Sequence, residues 1–222
     1  MSSTIEFQDN DDLAFFGKVN ASISHELKNI LAIISEAAGL LQDLTEMATK
    51  GQKIELEMLK TCSQDIIEEI QRGFATVKQM NRFSHSVDEP VKKVNLVDVV
   101  DLMVGLVKFL SFAGKVRFDP VPEAAAVVST CPFRLQNLLY QALVFVFESA
   151  GPEGCIRVAI DPQPDGGAHI IFSDFSASNS RSFASDKTRK IAASIGVDIR
   201  EATDLQNLKL IVPENAEAKR RP

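Results

Sequence analysis

Between Phe16 and Leu44 the apolar residues fall at Phe16, Ile23, Leu27, Ile30, Ile34, Ala37, Leu41 and Leu44, a four-three alternation that only Asn20 interrupts. A strand repeats every second residue, so this spacing fits a long amphipathic helix of the kind that packs in bundles. Residues 48–53, with Gly51, break the pattern, and Leu59, Cys62, Ile66, Ile70, Phe74, Val77 and Met80 then resume it to about Phe83. The reading is a helical hairpin over residues 13–86. Two helices of roughly 30 residues, each about 45 Å long, cannot cover both stripes by pairing only with each other. A second copy would complete a four-helix bundle, so a homodimer is expected, as closed symmetry favours.

The stretch 87–95 has Pro90, several charges and no periodicity, and reads as a linker. Beyond it the pattern is mixed. Helices are expected at Leu96–Phe112, Pro132–Ala150 and Lys187–Ile195. Strands are expected near Val116 and at Ala125–Ser129, Cys155–Ile160, His169–Ser173, Val197–Ala202 and Leu208–Val212, and Pro132 suits a first helical turn. This order predicts an α+β chain: a long antiparallel hairpin, then, over 96–213, an α/β sandwich with helices on one face of a sheet. Residues 1–12 and 214–222 are expected to be flexible ends.

Composition narrows the function. Of 222 residues, 45% are hydrophobic and 24% charged, enough for a sizeable core. The net charge of -6 provides no basic field for a phosphate backbone, so nucleic acid is not an expected partner. No run approaches the roughly 18–20 apolar residues that span a bilayer, and Met1–Asp12 lacks the basic-then-apolar order of an export signal, so a cytoplasmic protein with no membrane partner is expected. Cys62, Cys131 and Cys155 are odd in number and widely spaced, which suggests neither a disulfide framework nor a metal site.

The chemistry-bearing words are Ser24-His25-Glu26-Leu27-Lys28-Asn29, inside the first helix. At 100° per residue His25 lies about 200° from Ile23, so its imidazole should face solvent. Asn29 sits one turn further along the same face, and Glu26 is displaced by about 100°. An exposed imidazole can attack through one nitrogen while the other holds a proton, and a neighbouring carboxylate can accept that proton's hydrogen bond. The bland alternative is a solvated helix face that happens to carry a histidine.

These words resemble the phosphoacceptor box of sensor histidine kinases, His-Glu-Leu-(Lys/Arg)-Asn on the first helix of a dimerisation hairpin. The resemblance covers about residues 13–86, with Ile30 standing where the family commonly has a helix-bending proline. It implies that His25 accepts a phosphoryl group, that Glu26 orients the imidazole, and that Lys28 neutralises incoming charge. In that family an Asn or Thr four residues after the histidine orients a water that hydrolyses the partner's aspartyl phosphate, and Asn29 holds that position.

Residues 132–213 resemble the ATP-binding domain of the same kinases in element order, with eroded motifs. The family's paired asparagines, which hold Mg²⁺ and phosphate, match Gln141 and Phe145, and Phe145 has no oxygen for a hard cation. The adenine motif Asp-x-Gly-x-Gly reads Asp174-Phe175-Ser176-Ala177-Ser178, retaining Asp174 but with Ser176 in place of a glycine. A glycine-rich phosphate turn is missing from 179–190. Asp174 alone reads as a strand-end or turn residue. His85 and His169 have no partner at the spacing of a triad or metal site.

A phosphoacceptor hairpin joined to an eroded ATPase fold resembles the histidine phosphotransferases of two-component phosphorelays. The resemblance implies a relay through His25 between receiver domains of response regulators, with an upstream histidine kinase as a further partner. It implies no ATP, no resident cofactor and no metal, Mg²⁺ coming with the regulator. The alternatives are an autokinase with an unorthodox nucleotide site, a regulator phosphatase resting on Asn29, and a non-catalytic module that only binds a regulator.

Overall fold

The computed structural model describes residues 10–108, 115–121, 126–151, 154–175, 182–202 and 207–215. The chain divides into two compact units, Gly17–Arg82 on one side and, on the other, the residues up to Phe16 together with those from Phe83 onward. Among the described residues no helix is long and apolar enough to cross a membrane.

The first unit is a hairpin of α1 (Asn10–Thr49) and α2 (Leu56–Ser84), each helix extending past the unit's limits. The turn between them is a Schellman cap: Gly51 sits at φ 79°, its N–H donates to Ala48 O at 3.0 Å, and Gln52 N–H donates to Met47 O at 3.1 Å. Only glycine takes that backbone cheaply, which is why the helical pattern stops there.

On α1 the expected stripe is buried or half-buried at every position from Phe16 to Leu44, with Val19 and Glu26 joining its buried face, whereas the stripe on α2 differs from expectation. On α2, Cys62 and Thr76 are buried, Ile66, Glu69 and Gly73 half-buried, while Ile70, Phe74 and Val77 are 43%, 73% and 42% exposed. Thus α2 carries two adjacent stripes, and the more apolar one lies on the outside. Gly73 lies on the inner line, where a Cβ would meet Ile30 Cγ2 at an ordinary contact distance of 3.6 Å, and its neighbour Arg72 bonds Glu26 across the two helices.

The second unit begins with helix ends. Phe15 and Phe16 of α1 meet Phe83 at the end of α2, with ring centroids 5.6 and 5.5 Å apart, and Phe15 also lies 5.4 Å from Phe133 and 5.3 Å from Tyr140. Asn10–Asp12, expected to be part of a flexible end, are therefore helical, with Asp11 and Asp12 suited to the positive end of the helix dipole.

A short 3₁₀ turn, His85–Val87, leads to β1 (Lys92–Asn95), α3 (Leu96–Val107), β2 (Lys115–Asp119), β3 (Val127–Thr130) and α4 (Pro132–Ala150). Then follow β4 (Cys155–Pro162), β5 (Ala168–Ser173), α5 (Asp186–Ser194), β6 (Asp198–Glu201) and β7 (Leu208–Val212). The stretch read as a linker contains β1, an element invisible to periodicity because its four residues are held by antiparallel pairing with the distant β3. The expected helix to Phe112 is described only to Val107, since 109–114 lie outside the described residues.

The main sheet runs β2-β4-β5-β7-β6, parallel between β2 and β4 and antiparallel elsewhere. Alternation puts Ile156, Val158, Ile160, Ile170, Phe172, Leu208 and Leu210 in the core, each at most 4% exposed. α4 supplies Leu135, Leu138, Leu139, Ala142 and Val146, all without exposure. Its ends follow local rules: Pro132 occupies the first turn, and Gly151, at φ 73°, caps the other end by donating to Phe147 O.

Candidate functional site

His25 is exposed on α1, as the helical count requires. Its hydrogen-bond partner is Asn29, whose Nδ2 lies 3.3 Å from the imidazole Nδ1 one turn along. In that orientation the amide donates to Nδ1, and turning it over about its last torsion presents Oδ1 to an Nδ1–H instead. In the second arrangement the Nε2 lone pair is free to attack. Lys28 is exposed between the two.

Glu26 does not make the contact anticipated for it. Following Ile23 by three and preceding Ile30 by four, it takes a place in the buried face, with 11% of its side chain exposed. Its Oε1 accepts a hydrogen bond from Arg72 Nη2 on α2. Arg72 Nη1 also donates to both oxygens of Glu69, at 3.1 and 3.2 Å, and Thr76 Oγ1 donates to the Arg72 carbonyl at 2.9 Å. Burial works to lower the Arg72 pKa, but the hydrogen bonds and charge of Glu26 and Glu69 outweigh it and raise the pKa above its ordinary value. The guanidinium is therefore a permanent cation between two carboxylates, one from each helix.

The four positions matched to a nucleotide site lie in the α/β unit. Gln141 and Phe145 line a cleft of about 290 Å³ between α4 and the segment entering α5. The Phe145 ring packs on Phe183 at 5.5 Å, and Phe183 is itself buried. The segment carrying Phe183 is fastened by Glu201, whose carboxylate accepts from the N–H groups of Phe183 and Ala184 at 3.2 and 2.7 Å. Among the described residues the cleft is also lined by Glu148 and by no Lys or Arg, so a triphosphate would meet a carboxylate there. Phe145 offers no oxygen to Mg²⁺ at the position matched to a family asparagine. Asp174 closes β5 in an exposed left-handed conformation at φ 65°, which Asp tolerates, and Ser176 lies outside the described residues. Among the described residues no group of His, Cys, Asp and Glu could hold a metal ion.

Sequence reasoning passed over Arg72, Asn137 and Phe183. Arg72 was within reach, because Glu26 keeps the three-four spacing and a buried carboxylate demands a cation. Asn137, fully buried on α4, accepts from Gln141 Nε2 at 3.3 Å and donates to Asp12 at 3.2 Å, a pairing across the chain that no local pattern announces.

Comparison with solved structures agrees with this architecture. The chain shares its fold with a bacterial phosphotransferase solved at 1.7 Å resolution, at 12% identity over 94% of this chain and 99% of that one, with a TM-score of 0.50. The nucleotide-free catalytic domain of histidine kinase ThkA aligns at 16% identity over 59% of this chain and 99% of its own, with a TM-score of 0.46. Histidine kinase AdeS of Acinetobacter baumannii aligns at 9% identity over 80% and 95%, with a TM-score of 0.47. No protein-family model matches the sequence, and no curated protein does. At such identities the likeness is one of fold, a helical hairpin followed by an α/β sheet.

Proposed function

We propose that the protein is a cytoplasmic histidine phosphotransferase of two-component signalling, in which His25 carries a phosphoryl group between aspartates of response-regulator receiver domains. The observation that carries this reading is an exposed imidazole with an amide at its Nδ1, on a hairpin helix of a chain that shares a phosphotransferase's fold along nearly its whole length. With Nδ1–H held by Asn29 Oδ1, the Nε2 pair forms the P–N bond as the phosphorus–oxygen bond to the regulator's aspartate breaks and the carboxylate leaves with its electrons. Mg²⁺ on the regulator offsets the phosphoryl charge, and exposed Lys28 adds a second cation.

The reading dispenses with ATP, which Phe145 supports: it has no oxygen for Mg²⁺ and packs on Phe183 in the wall of the cleft. It also includes a homodimer. Ile67, Ile70, Phe74 and Val77 form an outer stripe on α2, spaced three, four and three, all exposed in a single chain, and a second hairpin is the occupant that bundle geometry fits. The α/β unit then serves as an additional docking surface for the regulator.

The test is to incubate wild type and His25→Ala with labelled ATP and, separately, with a phosphorylated receiver domain. Label on wild type from the receiver alone supports the proposal, label from ATP would make the protein an autokinase, and no label from either, with the receiver's phosphate intact, would leave a binding module.

A second reading is favoured by the same His25–Asn29 contact. An amide beside the histidine can orient a water towards a docked aspartyl phosphate, which would make the protein a regulator phosphatase.

A further inference from the structure

From the Glu26–Arg72–Glu69 cluster we infer that Arg72 is a positioning residue that holds the Glu26 carboxylate in the hairpin seam, away from His25, and so leaves Asn29 as the imidazole's partner. The inference rests on His25 being the phosphoryl carrier proposed above.

Three observations support it. Glu26, although adjacent in sequence to His25, has Arg72 as its hydrogen-bond partner, and the pair links residues 46 positions apart on different helices. Arg72 is itself anchored by both oxygens of Glu69, so its position does not depend on Glu26. His25 Nδ1 meanwhile faces the neutral Asn29 amide.

The choice of partner matters for chemistry. A carboxylate against Nδ1 would favour the doubly protonated ring, which has no lone pair to attack phosphorus. An amide orients the ring without adding that charge. The charged groups beside His25 in sequence are Glu26 and Lys28 on its own helix, and the Arg72–Glu26 bond holds the carboxylate on the buried face, with Glu69 as the second acceptor of Arg72. Sequence alone suggests the reverse, with Glu26 as the orienting group, because it cannot show that α2 has already engaged it.

The experiment is a histidine-labelled NMR titration of the full chain, with the His25 signal assigned through His25→Ala. It is paired with the pH profile of label acceptance from a phosphorylated receiver. In Arg72→Ala the released Glu26 should raise the His25 midpoint by about one pH unit and move the acceptance profile with it. Arg72→Ala combined with Glu26→Gln should return the midpoint to the wild-type value. Arg72→Lys, which retains a cation, should leave it near wild type. Glu26→Gln alone should not move it, because Glu26 is already withdrawn.

A midpoint unmoved in Arg72→Ala, or lowered in Glu26→Gln alone, overturns the inference. The Glu26→Gln arm keeps the test decisive if Arg72→Ala fails to fold. The NMR midpoints read the clamp even if no label is ever accepted, so failure of the phosphotransfer reading and failure of the clamp are separate results.

Discussion

Asn137 on α4 donates a 3.2 Å hydrogen bond to Asp12 in the first turn of α1, joining residues 125 positions apart in the chain. Asn137 is fully buried and Asp12 is 6% exposed, with Arg134 at 3.9 Å from the other carboxylate oxygen and Lys187 bonded to neighbouring Asp11 at 3.0 Å. A buried carboxylate stripped of a donor retains its desolvation cost. Asn137→Ala should therefore destabilise the protein by about 1.5–3 kcal/mol. Urea denaturation measures it, and a double-mutant cycle with Asp12→Ala should show coupling of at least about 0.5 kcal/mol.

Phe145 and Phe183 predict how the cleft answers nucleotide. Phe145→Asn should not create ATP binding, because Glu148 still lines the wall, whose described residues include no Lys or Arg. Isothermal titration of wild type and variant with Mg·ATP should show no heat of binding. A micromolar affinity in either would contradict the view that the residues lining this cleft do not hold nucleotide.

The outer stripe on α2 predicts a clean separation between assembly and folding. Phe74→Glu places a charge at a position 73% exposed in the single chain, so it should change monomer stability by less than about 0.5 kcal/mol. In a dimer interface the same charge should weaken association by tenfold or more. Sedimentation velocity across a concentration series distinguishes the two, and an unaltered oligomeric state would place the interface elsewhere.

In the proposed reading Asn29 sets the imidazole tautomer and, in the phosphatase reading, orients a water. Asn29→Ala should reduce phosphoryl acceptance by His25 about tenfold, within the usual range for loss of a positioned partner, and should abolish any loss of regulator phosphate. Acceptance at the wild-type rate with dephosphorylation lost would assign Asn29 to the phosphatase reaction alone.

Cys131, the residue before α4, has its thiol pKa pushed up by burial. A raised pKa means the folded protein holds the proton more tightly than the unfolded chain does. The stability this contributes is complete below the unfolded value of about 8.5 and is lost as pH rises through the folded value. At pH 8 iodoacetamide should modify exposed Cys155 and spare buried Cys131 and Cys62, which mass spectrometry reads directly. Denaturation midpoints should fall more steeply above pH 9 in wild type than in Cys131→Ala.

The features that depend on neighbours in the chain were legible beforehand. Four-three spacing specifies a helix wherever it occurs, Gly51 ends one because of its backbone freedom, and the angle between Ile23 and His25 places the imidazole outside. α4 could be read from Pro132 to Ala150 because proline and apolar periodicity act locally.

Only the tertiary structure decided which helix face meets which. α2 offers two adjacent stripes, and periodicity favours the greasier one, yet the other lies inside, where Arg72 pairs with Glu26 and Glu69. The same holds for Glu26, which sequence places beside His25 and packing turns towards Arg72, and for β1, whose four residues become a strand only against β3. Local rules constrain a residue's conformation and its side of an element. Its partner is set by long-range competition for burial and charge compensation, and that competition is resolved only when the whole chain has folded.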